Sequence, residues 1–228
     1  MLMSAELKAS RRDATLILTL SNPRARNALH PDMYAAAIET LTTAERDEDV
    51  RAVVLTGADG FFCVGSHLQH ADAMRSLQGW IDAIRDCPKP VIAAVEGGAE
   101  DAGFSLVLAC DLVVAGNSVS FAMRHASTRQ TPDGGGLWFL THALPRQLVN
   151  EILLGGKPVA AARLYETGLI NRLVNDGTAL DSALAWAEDI ALGSAGAIEN
   201  IKSLARDAQG YSLSQHFAAE ERYLVERA

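Results

Sequence analysis

Two short runs of buried type, Val50–Leu55 and Val91–Val95, constrain the fold of this chain most. Each is apolar at nearly every position, and each leads through a loop of small residues into a stretch of helical spacing. A strand that is apolar on both faces must be covered on both faces, as in a parallel sheet layered between helices. The same alternation recurs through the first two-thirds of the chain. Thr15–Leu20 reads as a strand closed by Ser21-Asn22-Pro23, and Pro31 opens a helix carrying Met33, Ala37, Ile38 and Leu41. Leu68–Arg85 is amphipathic and stops at Pro88-Lys89-Pro90, and an apolar helix is expected from about Gly103 to Cys110. Further strands are expected at Leu112–Val114, Val119–Phe121 and Ile170–Val174, with helices filling most of the rest. The pattern predicts one layered α/β domain over 1–228 with mostly parallel pairing, a core over about 14–190 and a helical C-terminal region over about 191–228.

Composition excludes several classes. A formal net charge of −8 argues against wholesale binding of nucleic acid or an anionic membrane. The three cysteines, Cys63, Cys87 and Cys110, are too scattered for a disulfide framework or a zinc site and read as reduced thiols. Met1 to Arg12 holds no apolar run of signal-peptide length, and no apolar stretch is long enough to span a bilayer. A cytoplasmic protein is expected. Gly97, Gly98 and Gly103 do not fall at G-x-G-x-x-G positions, and no G-x-x-x-x-G-K-[ST], H-E-x-x-H or G-x-S-x-G is present.

Two loops combine small residues with a strand-to-helix junction: Phe61 to Leu68, and Glu96 to Phe104. Small side chains let a ligand approach the backbone closely, and a helix start leaves N–H groups without intrahelical partners. Two such groups converging on one point would hold an oxyanion. The alternative is that the glycines serve tight turns only.

Several blocks, in order along roughly residues 14 to 190, resemble the crotonase (enoyl-CoA hydratase/isomerase) superfamily. They are Asn27-Ala28-Leu29, Arg51 to Gly57, Phe62-Cys63-x-Gly65-x-x-Leu68, Pro90 to Val95, Leu108 to Leu112, Pro132 to Gly136, Leu144-Pro145-Arg146 and Thr167 to Asn171. The resemblance implies a spiral of ββα units with a helical C-terminal trimerisation region, assembled as a homotrimer or hexamer. It implies an acyl-CoA substrate, with coenzyme A arriving as part of the thioester and no permanently bound cofactor. The family's two oxyanion donors fall on the backbone N–H groups of Ser66 and Ala102, where Asp101-Ala102-Gly103 stands in place of three glycines. Arg24, Arg26 and Ala28 fall in the block that contacts the cofactor, and guanidinium groups suit its phosphates. Two solvated surface arginines are the alternative. His67, Leu68 and His125 are further candidates for substrate contact.

The chain departs from the family at the two glutamates with which its hydratases handle water. Ser105 and His125 stand at those positions. His125 has a suitable intrinsic pKa for general-base work, or is a surface or second-layer histidine. Asp133 remains as a carboxylate in a family active-site motif, to act as acid/base or to cap the following helix. Glu100 and Asp101 are unexpected in a loop meant to stabilise negative charge. Trp80, Trp138 and Phe139 line an acyl pocket or belong to the core, and Cys63 is a packing residue. The leading expectation is an enoyl-CoA double-bond isomerase using Asp133. Hydration, thioester hydrolysis and a catalytically silent acyl-CoA-binding protein are the alternatives.

Overall fold

The chain's structure, a computed structural model, describes residues 5–66, 71–128 and 131–225. Two antiparallel strands come first, β1 (Glu6–Arg12) and β2 (Thr15–Ser21), turned at Asp13-Ala14 and registered Glu6 to Ser21. β1 is largely exposed and has no apolar alternation, so its strand character lay below what periodicity detects. The strands that follow are β3 (Ala52–Gly57), β4 (Val91–Val95), β5 (Gly98–Glu100), β6 (Leu112–Gly116), β7 (Ser120–Ala122), β8 (Val159–Ala160) and β9 (Arg172–Val174). The helices are α1 (Pro31–Arg46), α2 (Ala71–Asp86), α3 (Ala102–Ala109), α4 (His125–Thr128), α5 (Gly136–Ala143), α6 (Arg146–Gly155), α7 (Ala161–Glu166), α8 (Ala179–Ala191), α9 (Ala195–Ala208) and α10 (Leu213–Val225). The start of α2 expected at Leu68 lies outside the described residues.

One sheet runs β1-β2-β3-β4-β6-β9, parallel from β2 onward, and a smaller one runs β5-β7-β8. The two are linked turn by turn. After β4 the chain bends at Glu96-Gly97 into β5 and then enters α3; after β6 it bends into β7 and then enters α4. The two earlier turns do the same with single bridges, Leu29 to Ser66 and Cys63 to Ala99, both parallel. The result is the spiral of strand, second strand and helix. Successive helix entries therefore lie side by side, although 23 to 40 residues separate them in sequence.

Burial explains why β3 and β4 read as unbroken apolar runs. Val53 and Leu55, with Val91, Ala93 and Val95, face the main core beneath α1, α2 and α3. Ala52 and Val54, with Ile92 and Ala94, face Ala179, Ala183, Leu184 and Ala187 of α8. Both faces are covered, so no polar residue is tolerated at the alternate positions.

Beyond α8 the helical C-terminal region holds two helices, α9 and α10. Ser212 and Gln215 divide them. The Ser212 N–H donates to Gln215 Oε1 (2.8 Å), while the Gln215 N–H reaches the Ser212 hydroxyl (3.4 Å). This reciprocal cap starts a new helix after Gly210. α9 buries no residue of its own, and Lys202 and Arg206 tie it to the rest of the chain, Arg206 through Asp86 at 2.8 Å. Lys202 Nζ donates to the carbonyls of Ile84 and Lys89 (3.0 Å each) and lies 2.7 Å from Asp111 Oδ2. Among the described residues no helix is long and apolar enough to cross a membrane.

Candidate active site

The Phe61 loop and the entry to α3 meet through backbone. Cys63 N–H donates to the Gly98 carbonyl (3.2 Å), and Glu100 N–H donates to that of Cys63 (2.8 Å). Gly65 (φ +89°) then passes so close to α3 that a Cβ there would come 3.0 Å from the Glu100 carbonyl and 3.2 Å from the Ala102 nitrogen. Only glycine adopts this conformation and leaves this space. Ser66 follows directly, bridged to Leu29, and Ala102 is the first residue of α3, where an N–H has no intrahelical acceptor. The structure thus brings together the two positions at which sequence placed backbone donors. Cys63 shapes this turn: its buried sulfur accepts from the Gly65 N–H (3.3 Å), and burial pushes its thiol up to about 12, which leaves it un-ionised and unfit as a nucleophile.

Asp101 enters α3 at φ 49° and ψ −120°, a region that a residue with a Cβ occupies under strain. Its side chain shows what holds it there. Asp101 Oδ1 accepts the Arg124 N–H at 2.6 Å and stands 3.1 Å from His125 Nδ1. On the other edge of the same ring, Nε2 stands 3.4 Å from Asp133 Oδ1. The imidazole, only 5% exposed, is thus set between two carboxylates. These are close charge contacts rather than aligned hydrogen bonds, since His125 Nδ1 and Asp133 Oδ1 are both buried without a hydrogen-bond partner. Burial alone would push the His125 pKa down; attraction to Asp133 and then to Asp101 outweighs it, and the net direction is upward. Asp101 is also raised, by burial first, against the opposing pull of the Arg124 N–H and His125.

The neighbouring acid has its own partner. Glu100 takes the Arg124 guanidinium in a two-point contact, Nε to Oε2 at 2.8 Å and Nη2 to Oε1 at 3.1 Å. The pair of acids unexplained from sequence is therefore matched by the Arg124-His125 pair across the site.

Ser105, at the first glutamate position of the hydratases, is fully buried. Its hydroxyl donates to the Asp133 carbonyl at 2.9 Å and so holds the Asp133 loop against α3. Asp133 does not cap α5 with its side chain. The N-cap is Gly135 with no side-chain bond, and Asp133 lends only its carbonyl to Gly136 N–H.

The other candidates fall in different places. Arg24 and Arg26 are exposed on one loop, and the Arg26 guanidinium lies 5.0 Å from the centre of the Phe61 ring. Ala28 is buried, its N–H given to Ala25 and its carbonyl accepting from Asn22. His67 and Leu68 lie outside the described residues. Trp80 is fully buried in the main core. Trp138 and Phe139 line a cavity of about 370 Å³ behind α3 and a groove of about 510 Å³ along α9. Neither space is lined by Ser66, Ala102, His125 or Asp133, so these two rings serve other surfaces.

Sequence reasoning missed Tyr34. It is buried on α1 with no hydrogen-bond partner for its hydroxyl. Burial raises its pKa, the nearby Ser66 side chain works against that, and the charge of Asp133 adds to it. The available signal was a hydroxyl on the core face of a helix, next to Met33, where a buried phenol needs a partner.

A layered spiral with two loop turns meeting at a helix entry defines a class of protein, and the comparisons give that class a family. The family model for enoyl-CoA hydratase/isomerase matches residues 11–227, and the chain belongs to that family within the crotonase superfamily. An enoyl-CoA hydratase of Mycobacterium tuberculosis is 35% identical, over 87% of this chain and 79% of the relative. The 1,2-epoxyphenylacetyl-CoA isomerase of Escherichia coli is 30% identical, over 91% and 84%. A solved enoyl-CoA hydratase from Polaromonas sp. JS666 matches with a TM-score of 0.93 at 44% identity, covering 97% of this chain and 91% of that one.

Proposed function

We propose that this chain is an enoyl-CoA double-bond isomerase in which the N–H groups of Ser66 and Ala102 hold the thioester oxygen and Asp133 carries the proton. The observation that carries this reading is Asp133 Oδ1, a buried carboxylate oxygen without a hydrogen-bond partner, facing His125. Ser105, by contrast, has no carboxylate and its hydroxyl is engaged with a backbone carbonyl. A hydratase of the usual two-glutamate kind needs carboxylates at both altered positions.

Asp133 removes a proton from the carbon γ to the thioester carbonyl. The C–H electron pair forms a new double bond, the existing one shifts toward the carbonyl, and the charge rests on the thioester oxygen between the two N–H groups. Return of the proton to the α carbon restores the carbonyl and leaves the double bond one carbon further along. One carboxylate does both transfers. Coenzyme A comes with the substrate, and the exposed Arg24 and Arg26 are proposed to meet its phosphates, with Ala28 fixing their loop. His67 and Leu68 are proposed on the wall of the acyl site from the family match alone.

Asp133→Asn is the test. Its side chain caps nothing, so the variant is expected to fold, while exchange of α and γ protons with deuterium oxide falls by about 10²-fold or more. Exchange at the wild-type rate would overturn the role of Asp133. Net formation of 3-hydroxyacyl-CoA from enoyl-CoA by the wild-type protein would replace isomerisation with hydration, with His125 as the group that activates water.

The helical tail is proposed to assemble the protein as a homotrimer or a pair of trimers. Ile201 on α9, and Leu213 and Phe217 on α10, are exposed apolar residues in a region that buries little against its own chain. Light scattering at micromolar concentration is expected to give three or six copies, and a monomer would refute it. The three cysteines are free thiols, which fits the reducing cytoplasm proposed as its location.

A further inference from the structure

We infer that Asp101 is a positioning residue that keeps a proton on His125, so that the Asp133 base works beside an imidazolium and not beside a neutral ring. The inference rests on the reading of Asp133 as the acid/base. Two observations and one property of imidazole carry it. The ring of His125 is wedged between Asp101 Oδ1 (3.1 Å) and Asp133 Oδ1 (3.4 Å), so both edges face acceptors. A neutral imidazole has one N–H and one lone pair. It would turn a lone pair on one of the two carboxylates, and a second ring proton removes that clash. The backbone at Asp101 is held in a strained conformation that glycine would adopt freely, so its carboxylate is kept against a local cost.

The charges around the ring point the same way. From the entry to α3 come Glu100 and Asp101, and from the loop before α5 comes Asp133. Arg124, next to His125, is engaged by Glu100. Tyr34 of α1, near Asp133, has a phenol whose pKa is raised, so it stays neutral and brings neither a cation nor a further negative charge. Cys63 is held un-ionised by burial. α6 packs against α4 and carries Arg146 and Glu151, and Glu151 is bound by Arg163. With His125 neutral, three carboxylates share one guanidinium at the place where an enolate forms. A proton on His125 removes half of that excess negative charge. During turnover the ring proton stays on Nε2, and the other Asp133 oxygen takes the substrate proton and returns it.

Histidine-labelled nitrogen NMR on the full chain tests this. In the wild-type protein His125 is expected to remain protonated above the usual histidine range. Asn at position 101 keeps an acceptor for the Arg124 N–H and tolerates a positive φ, but it carries no charge. In Asp101→Asn the His125 midpoint is expected to move down by about one pH unit or more. The alkaline limb of the kcat profile should move with it, and KM should stay nearly constant. A purely structural Asp101 predicts an unchanged midpoint and profile in a folded variant, and that result overturns the inference. Asp101→Gly, which suits the backbone, should show the same downward shift if the Asn variant does not fold. The NMR midpoint does not depend on which group is the base. A shifted midpoint together with an active Asp133→Asn would keep the proton on His125 and remove only the role of Asp133.

Discussion

His125 Nδ1 stands 3.1 Å from Asp101 Oδ1, and Asp101 meets it from a backbone conformation, φ 49° and ψ −120°, that its own Cβ resists. The strain and the contact belong together. The carboxylate accepts the Arg124 N–H at 2.6 Å and ties the turn before α3 to the chain at Arg124. The same side chain sets the charge environment of the ring beside Asp133.

Asp101→Ala and Asp101→Gly separate strain from contact. Both lose the carboxylate, but alanine keeps the Cβ that the turn resists. The alanine variant is expected to be less stable than the glycine variant by about 1–3 kcal/mol, read from urea denaturation. Equal midpoints would show that the turn is not strained.

Ser105→Glu will not restore hydratase chemistry. Ser105 is fully buried, and a Cβ built on Gly136 or Gly134 would already come 2.6 Å from its Oγ or 3.0 Å from its Cβ. A glutamate there has no room beside these glycines and brings a charge with it. Overpacking alone costs about 1–3 kcal/mol, with displacement of the Asp133 loop as the visible result. A stable variant with new hydratase activity would contradict this packing.

His125 makes stability depend on pH in a definite direction. Its pKa in the folded chain is raised, so the folded state binds the proton more tightly than the unfolded chain does. The stabilisation is full below the ordinary value of about 6.5 and is lost as pH rises through the folded value. The stability difference between wild type and His125→Gln, measured by denaturant at a series of pH values, should therefore shrink toward alkaline pH. A difference that grows with pH would mean that the ring is neutral in the fold.

Lys202→Met should loosen the C-terminal helices. The methionine keeps the apolar stem but leaves Asp111, a part-exposed carboxylate whose pKa desolvation raises, without its cation. The loss is expected at about 3 kcal/mol, the low end for breaking a buried pair because Asp111 is part exposed. Hydrogen exchange should rise first over residues 195–208. Unchanged protection there would show that α9 is held by other contacts.

Much of this protein was legible in its sequence because the features concerned are local or backbone-borne. Val91–Val95 is apolar throughout because two layers cover it, and that is visible residue by residue. The two small-residue loops that meet at Gly65 and Ala102 were visible because a turn's signature lies within a few positions of the turn itself. The start of α10 is equally local, set by Ser212 and Gln215, whose capping pattern lies in plain view in the sequence.

The partners of charged side chains were not legible. Glu100 finds Arg124, and Asp101 finds His125 and through it Asp133, across 24 to 32 residues of chain. Nothing in the spacing of these residues announces those contacts. They exist because β5 and β7 pair in the small sheet, Glu100 opposite Ala122, and because Ser105 ties the Asp133 loop to α3. Sequence alone determined the layered α/β class and, through ordered motif blocks, the family, since periodicity, turn chemistry and motif residues act over a few positions. Only the tertiary structure decided that two apparently misplaced acids are neutralised and that a histidine stands between carboxylates, because electrostatic partnership depends on distance in space, which the spiral sets turn against turn.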